Sequence, residues 1–236
     1  VEGNWWKRMK LQLGDDRPVR FQENLYSLFP VEKYGESNPE FYPGGKPPAP
    51  GDKHSWQPSL TPETAQVAAN EIIEYFRLNP NVSSYSLGIN DTANFGETNP
   101  NHPLFPNKLN SVGDQDLSDL YYSWVNSIVE KVLEVYPDKW FGLLAYKNVA
   151  DPPSFPVHER VVPFITKDRL AWIDEDVEAY YHQQMDAWNA KASQVGWYDY
   201  MYGVFFFAPR VFPHQMAETF QYAAENSVYG YYIEMY

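Results

Sequence analysis

The chain has 236 residues, a formal charge of −13 from 18 Lys plus Arg against 31 Asp plus Glu, and no cysteine. That length allows one large domain or two small ones, with a core that needs no disulfide or metal staple. The acid excess offers no basic stripe for phosphates and argues against nucleic acid; the missing cysteine excludes disulfides, thiolate catalysis, Cys-ligated zinc and iron–sulfur clusters.

Hydrophobic residues at 44% and aromatics at 17% argue against disorder. No apolar run approaches the roughly 20 residues of a membrane span. The opening Val1-Glu2-Gly3, without Met, reads as a piece excised from a longer protein.

In chain order, residues 18–25, 83–91, 140–146, 161–166, 196–203 and 229–235 read as strands, rich in Val, Ile, Tyr, Phe and Trp. Helices separate them. The first opens at Thr61-Pro62, an N-cap with proline at the first helical position, and stops at Asn79-Pro80. Its Ala65, Ala68, Ala69, Ile72, Ile73 and Phe76 make one apolar face. The others cover about 116–136, about 175–193, and a stretch from Pro213. Two loops stand out. Residues 36–60 are dense in Pro and Gly, yet their aromatics and His54 favour a packed functional loop over a linker. Residues 92–115 are rich in Asn, Gly and Pro.

Strand–helix alternation implies right-handed parallel crossovers and an α/β fold. Six strand signals suit a (β/α)8 TIM-barrel-like architecture: a partial barrel lacking its first strand or strands and its last helix. Residues 1–236 then form a single (β/α)-barrel catalytic-type domain.

In such a barrel the chemistry lies at the C-terminal ends of the strands. Those ends read Glu23-Asn24, Asn90-Asp91 followed by Glu97, Tyr146-Lys147-Asn148, Lys167-Asp168, Trp197 to Tyr200, and Glu234. Carboxylates, amides and aromatics dominate. Only five histidines occur, with no HxH or HExxH spacing, so no metal site is expected. No GxGxxG, GxxxxGK[ST] or GxSxG occurs, so no nucleotide cofactor or serine elbow is expected. Carboxylate acid/base chemistry beside aromatic platforms is the equipment of sugar hydrolysis. Each residue also has a plainer role. Asp91 could cap a turn, Glu97 could be a solvated loop acid, and Tyr146, Trp197 and Tyr198 could be core packing. Glu234 and Asp199 sit among apolar and aromatic neighbours, where a buried carboxylate must be paired or functional.

Ser86 to Asp91, with Gly96-Glu97 after it, is similar to the S-x-x-N-D-G segment of glycoside hydrolase family 163. Tyr75 to Pro80, Leu120 to Asn126, Tyr136 to Lys139, Leu144-Ala145-Tyr146 with Pro152-Pro153, Asn38 to Tyr42, and Val228 to Glu234 resemble further segments, in the same order. The resemblance implies a (β/α)8 barrel and endo-β-N-acetylglucosaminidase activity on N-glycan cores. It also implies a bacterial protein that is secreted, periplasmic or at the cell surface, acting without a cofactor on a glycan or glycoprotein. Related barrels use the substrate acetamido group as nucleophile. On that pattern Glu234 or Glu97 is the expected acid, and Asp91 the carboxylate that orients the acetamido group. Asn24, Asn90, Tyr146, Trp197, Tyr198 and Asp199 would hold sugar. The competing expectations are a non-catalytic carbohydrate-binding barrel domain and a structural module of a larger surface protein.

Overall fold

The computed structural model describes residues 19–96, 104, 107–200 and 212–234. Two short helices come first, α1 (Leu25–Leu28) and α2 (Val31–Tyr34), then 3-10 turns at Pro39–Phe41 and Pro43–Gly45. Then come α3 (Pro62–Leu78), β1 (Ser84–Ser86), α4 (Ser118–Leu133), β2 (Trp140–Ala145), β3 (Val161–Lys167), α5 (Glu175–Asn189), β4 (Val195–Asp199), α6 (Pro213–Glu225) and β5 (Val228–Ile233), with a 3-10 turn at Lys147–Val149 in place of a helix between β2 and β3. The five strands form one sheet in the order β1-β2-β3-β4-β5, every neighbour parallel.

The helices form where the sequence punctuates them. Thr61 and Thr64 make a reciprocal capping box at the start of α3, with Pro62 at its first position. Asp174 caps α5 by accepting from the amides of Asp176 and Val177. The expected strand at 18–25 is not a strand among the described residues. It makes a single parallel bridge, Glu23 to Gly88, and turns into α1 at Leu25.

Strand side chains alternate between two faces. Phe141, Leu143, Ala145, Val161, Ile165, Val195 and Trp197 pack into the larger core with α3, α4 and α5. Leu144, Val162 and Phe164 face the other way and bury Val19 and Phe21, with Tyr146, Tyr198 and Tyr232 at the margin. The Phe21 ring stacks on Phe164 at 3.8 Å and meets Tyr232 edge-on at 5.4 Å. Segment 19–24 reaches this face because Gly88 and Gly142 leave room. A Cβ on either would lie 2.4 Å from a backbone oxygen, Gln22 O for Gly88 and Arg20 O for Gly142. Among the described residues no helix is long and apolar enough to cross a membrane.

Candidate functional site

The register sets Thr166 opposite Tyr198 and Tyr198 opposite Tyr232, one row across the second face near the strand ends. Two residues after Tyr232, just past the end of β5, comes Glu234, whose amide donates to Asp199 O at 2.9 Å. The Tyr198 hydroxyl hydrogen-bonds Glu234; burial first, and that bond second, push the phenol well above its usual range. Tyr200 is also pushed up, by burial and then by the charges of Tyr146, Glu234, Asp91 and Glu23. The ends of β1, β2, β4 and β5 and the segment 19–24 thus converge on one electrostatic neighbourhood.

Glu23 stands in it. Its side chain is about one-third exposed, 33%. Burial holds its carboxyl above the usual range, and the Asp91 and Glu234 charges add to that, while His54 and Lys147 pull it back. His54 Nδ1 lies 3.8 Å from Glu23 Oε2. Asp91 is half-exposed; its Oδ1 lies 3.0 Å from Lys147 Nζ and 3.5 Å from the Tyr146 hydroxyl. Burial raises Tyr146, with Lys147 opposing and Asp91 and Glu23 reinforcing.

The loop at 36–60 packs against this end of the sheet. Phe41, Tyr42 and Trp56 are buried, and the Gln57 side chain donates to Asn90 O at 2.7 Å and Thr92 O at 2.9 Å while accepting from the Asn90 amide at 3.1 Å. This clamp brings His54 to Glu23.

The structure therefore brings together Asp91, Glu234, Tyr146 and Tyr198 of the expected set, and separates the others. Asn90 is wholly buried, its side chain accepting from the Tyr26 amide at 2.9 Å and donating to Trp56 O at 2.8 Å, so it is a loop clamp rather than a sugar contact. Trp197 and Asp199 are 0% exposed and lie on the helix-facing side, opposite Tyr198 in strand parity. Trp197 donates to Met185 Sδ at 3.1 Å, and the Arg169 guanidinium sits 4.0 Å from its ring centroid. Asp199 pairs with buried Arg169 at 3.5 Å and accepts from the Arg169 and Tyr200 amides and the Tyr231 hydroxyl. Neither side chain is free to meet a ligand. Asn24 donates to Ser86 O at 3.0 Å and accepts from Ser27 Oγ at 2.9 Å. With Arg20, Glu71, Tyr75 and Tyr85 it lines a cavity of about 380 Å³ beside α3, whose lining includes none of Glu23, Asp91 and Glu234. Glu97 lies outside the described residues.

Glu23, Lys147 and Tyr200 are the residues that strand-end reading underweighted. Their signal was adjacency: Glu23 precedes Asn24, Lys147 follows Tyr146, and Tyr200 repeats the parity of Tyr198.

No curated protein and no solved structure matches this sequence. Residues 4–236 match the family described as a domain of unknown function, DUF4838, and with nearly its whole length covered the chain belongs to that family.

Proposed function

We propose that this domain is a glycoside hydrolase acting on N-acetylhexosamine-containing glycans, in the manner of an endo-β-N-acetylglucosaminidase. The observation that carries the reading is the gathering of Glu23, Asp91 and Glu234 with Tyr146, Tyr198 and Tyr200 beyond the C-terminal ends of parallel strands. Sugar hydrolysis needs one carboxyl kept protonated to give its proton to the leaving oxygen, and another kept ionised to meet developing positive charge. Glu23, raised by burial and two neighbouring acids, suits the first role. Asp91, facing an ammonium, suits the second, stabilising a substrate acetamido group as it attacks. Glu234 and the tyrosines offer hydroxyl acceptors and ring faces.

The same reading makes the sheet the greater part of a (β/α)8 barrel. Five parallel strands in chain order, with helices packed on one face, support that reading, since a doubly wound sheet reverses its order. Phe21 meeting Phe164, Tyr198 and Tyr232 supports an interior filled by inward side chains. A carbohydrate-binding barrel without turnover is the second reading, for which the aromatic lining of the second face would suffice.

Incubation with N-glycans and with chromogenic N-acetylhexosaminides tests the proposal. Turnover abolished in Glu23→Gln and Asp91→Asn supports it. Binding with no turnover selects the second reading. Turnover unchanged in Glu23→Gln, Asp91→Asn and Glu234→Gln contradicts both the site and the roles.

A further inference from the structure

The turn after β2 holds a non-glycine residue in the left-handed region. Lys147 has φ 46°, a conformation shared among the described non-glycine residues only with Asn107 and Ser227. Lysine has no side-chain means of easing it, whereas Asn and Ser can bond locally. The surroundings hold it in place. Asn110 Nδ2 donates to Lys147 O at 2.6 Å, the Ala150 amide donates to the same oxygen at 3.1 Å, and the Leu117 amide donates to Asn148 O at 2.8 Å. The result is an ammonium aimed at the carboxylates. It lies 3.0 Å from Asp91 Oδ1 and 5.2 Å from the Tyr146 ring centroid, and its side chain is 25% exposed where that of Asp91 is 50% exposed. Strained backbone that persists because its neighbours over-determine it is a mark of a functional turn.

We propose that Lys147 is a positioning residue, fixing the Asp91 carboxylate and balancing the charge shared by Asp91, Glu23 and Glu234. The proposal rests on the glycosidase reading for its kinetic consequences, but its electrostatic consequence needs no substrate. The charges that act on Lys147 include Asp91, Tyr146, Asp114 and Glu23; those that act on Glu23 include Asp91, Glu234, His54, Lys147, Tyr146 and Tyr200. Burial alone would draw the Lys147 proton off; its bond to Asp91 and the charges of Tyr146, Asp91 and Asp114 outweigh that and hold it on. Taking the cation away leaves three acids facing one another, so Glu23 keeps its proton to higher pH and Asp91 loses its anchor.

Three variants and three readouts test this. Carbon-13 NMR titration of the Glu23 carboxyl in the intact domain should show its midpoint moving up in Lys147→Met and staying in place in Lys147→Arg. Steady-state kinetics should show kcat falling about 10–100-fold in Lys147→Met, as expected when a reacting group is misplaced, with its alkaline limb moved to higher pH and Lys147→Arg close to wild type. Lys147→Gly, which removes the cation and relaxes the backbone, should lose activity like Lys147→Met without losing thermal stability. A Glu23 midpoint unmoved in Lys147→Met overturns the proposal, as does wild-type turnover in Lys147→Gly. If the wild-type domain turns over no glycan, the glycosidase reading fails, and the NMR titration still decides the role of Lys147.

Discussion

Glu23 is where charge, burial and position meet. Its carboxyl is raised above the ordinary value of 4.5, so the folded state binds its proton more tightly than the unfolded chain does. The stability it contributes is complete below that unfolded value and is lost as pH rises through the folded one. At pH 7 the Glu23 carboxylate is therefore a liability to the fold. Glu23→Gln should match or exceed the wild type in thermal denaturation at pH 7, while turnover falls by about 10²–10⁴-fold. A melting temperature clearly below wild type would mean that Glu23 is structural. The wild-type rate should likewise fall on the alkaline side, where Glu23 loses its proton.

Asp199 is the contrary case. It and Arg169 are buried to 0% and 2% exposure and pair only with each other and with protein hydrogen-bonding groups. Removing one partner strands a charge in the core, so Arg169→Met should cost about 3–5 kcal/mol in urea unfolding. A loss under about 1 kcal/mol would contradict the pairing. The contrast shows what could be read from the residues. Asp91 and Glu234 were visible because they end apolar runs. Trp197, Tyr198 and Asp199 could not all face a sugar, because strand parity sends alternate residues to opposite faces. Which parity faced the site depended on the partner strands, and no local pattern carries that.

At the scale of elements, α3 was legible to within a residue, because Thr61, Pro62 and the Asn79-Pro80 stop are local chemistry. Thr61→Ala should cost about 1 kcal/mol by chemical denaturation through loss of the cap; no change would mean that Thr64 holds the helix start alone. Segment 19–24 was not legible. It has the composition of a strand but lies on two glycines and makes one bridge, so its fate was set by residues far along the chain. The loop at 36–60 was legible as packed, through its aromatics, but its clamp was not. Gln57 and Asn90 are 33 residues apart and meet only in the folded chain. Asn90→Ala leaves buried backbone groups unpaired and should cost about 1–3 kcal/mol. Amide exchange across residues 52–60 should rise with it, since the clamp ties this loop to the end of β1. Unaltered exchange there would show that Trp56 and its neighbours hold the loop unaided.

At the largest scale, the described residues form a five-stranded parallel sheet in chain order, with helices packed on one face and an aromatic-rich cluster on the other. Alternating strand and helix signals were enough to reach the α/β class, because crossover connections between parallel strands leave few alternatives. The candidate site follows from the parallel pairing, which puts the C-terminal ends of all five strands at the same end of the sheet. Glycosidase activity is tested most directly by hydrolysis of an N-glycan core by the wild-type domain beside Glu23→Gln and Asp91→Asn, with all three verified as folded. The wild type should release the glycan, and both variants should lose that release. Release by Glu23→Gln and Asp91→Asn at the wild-type rate would contradict the roles of Glu23 and Asp91.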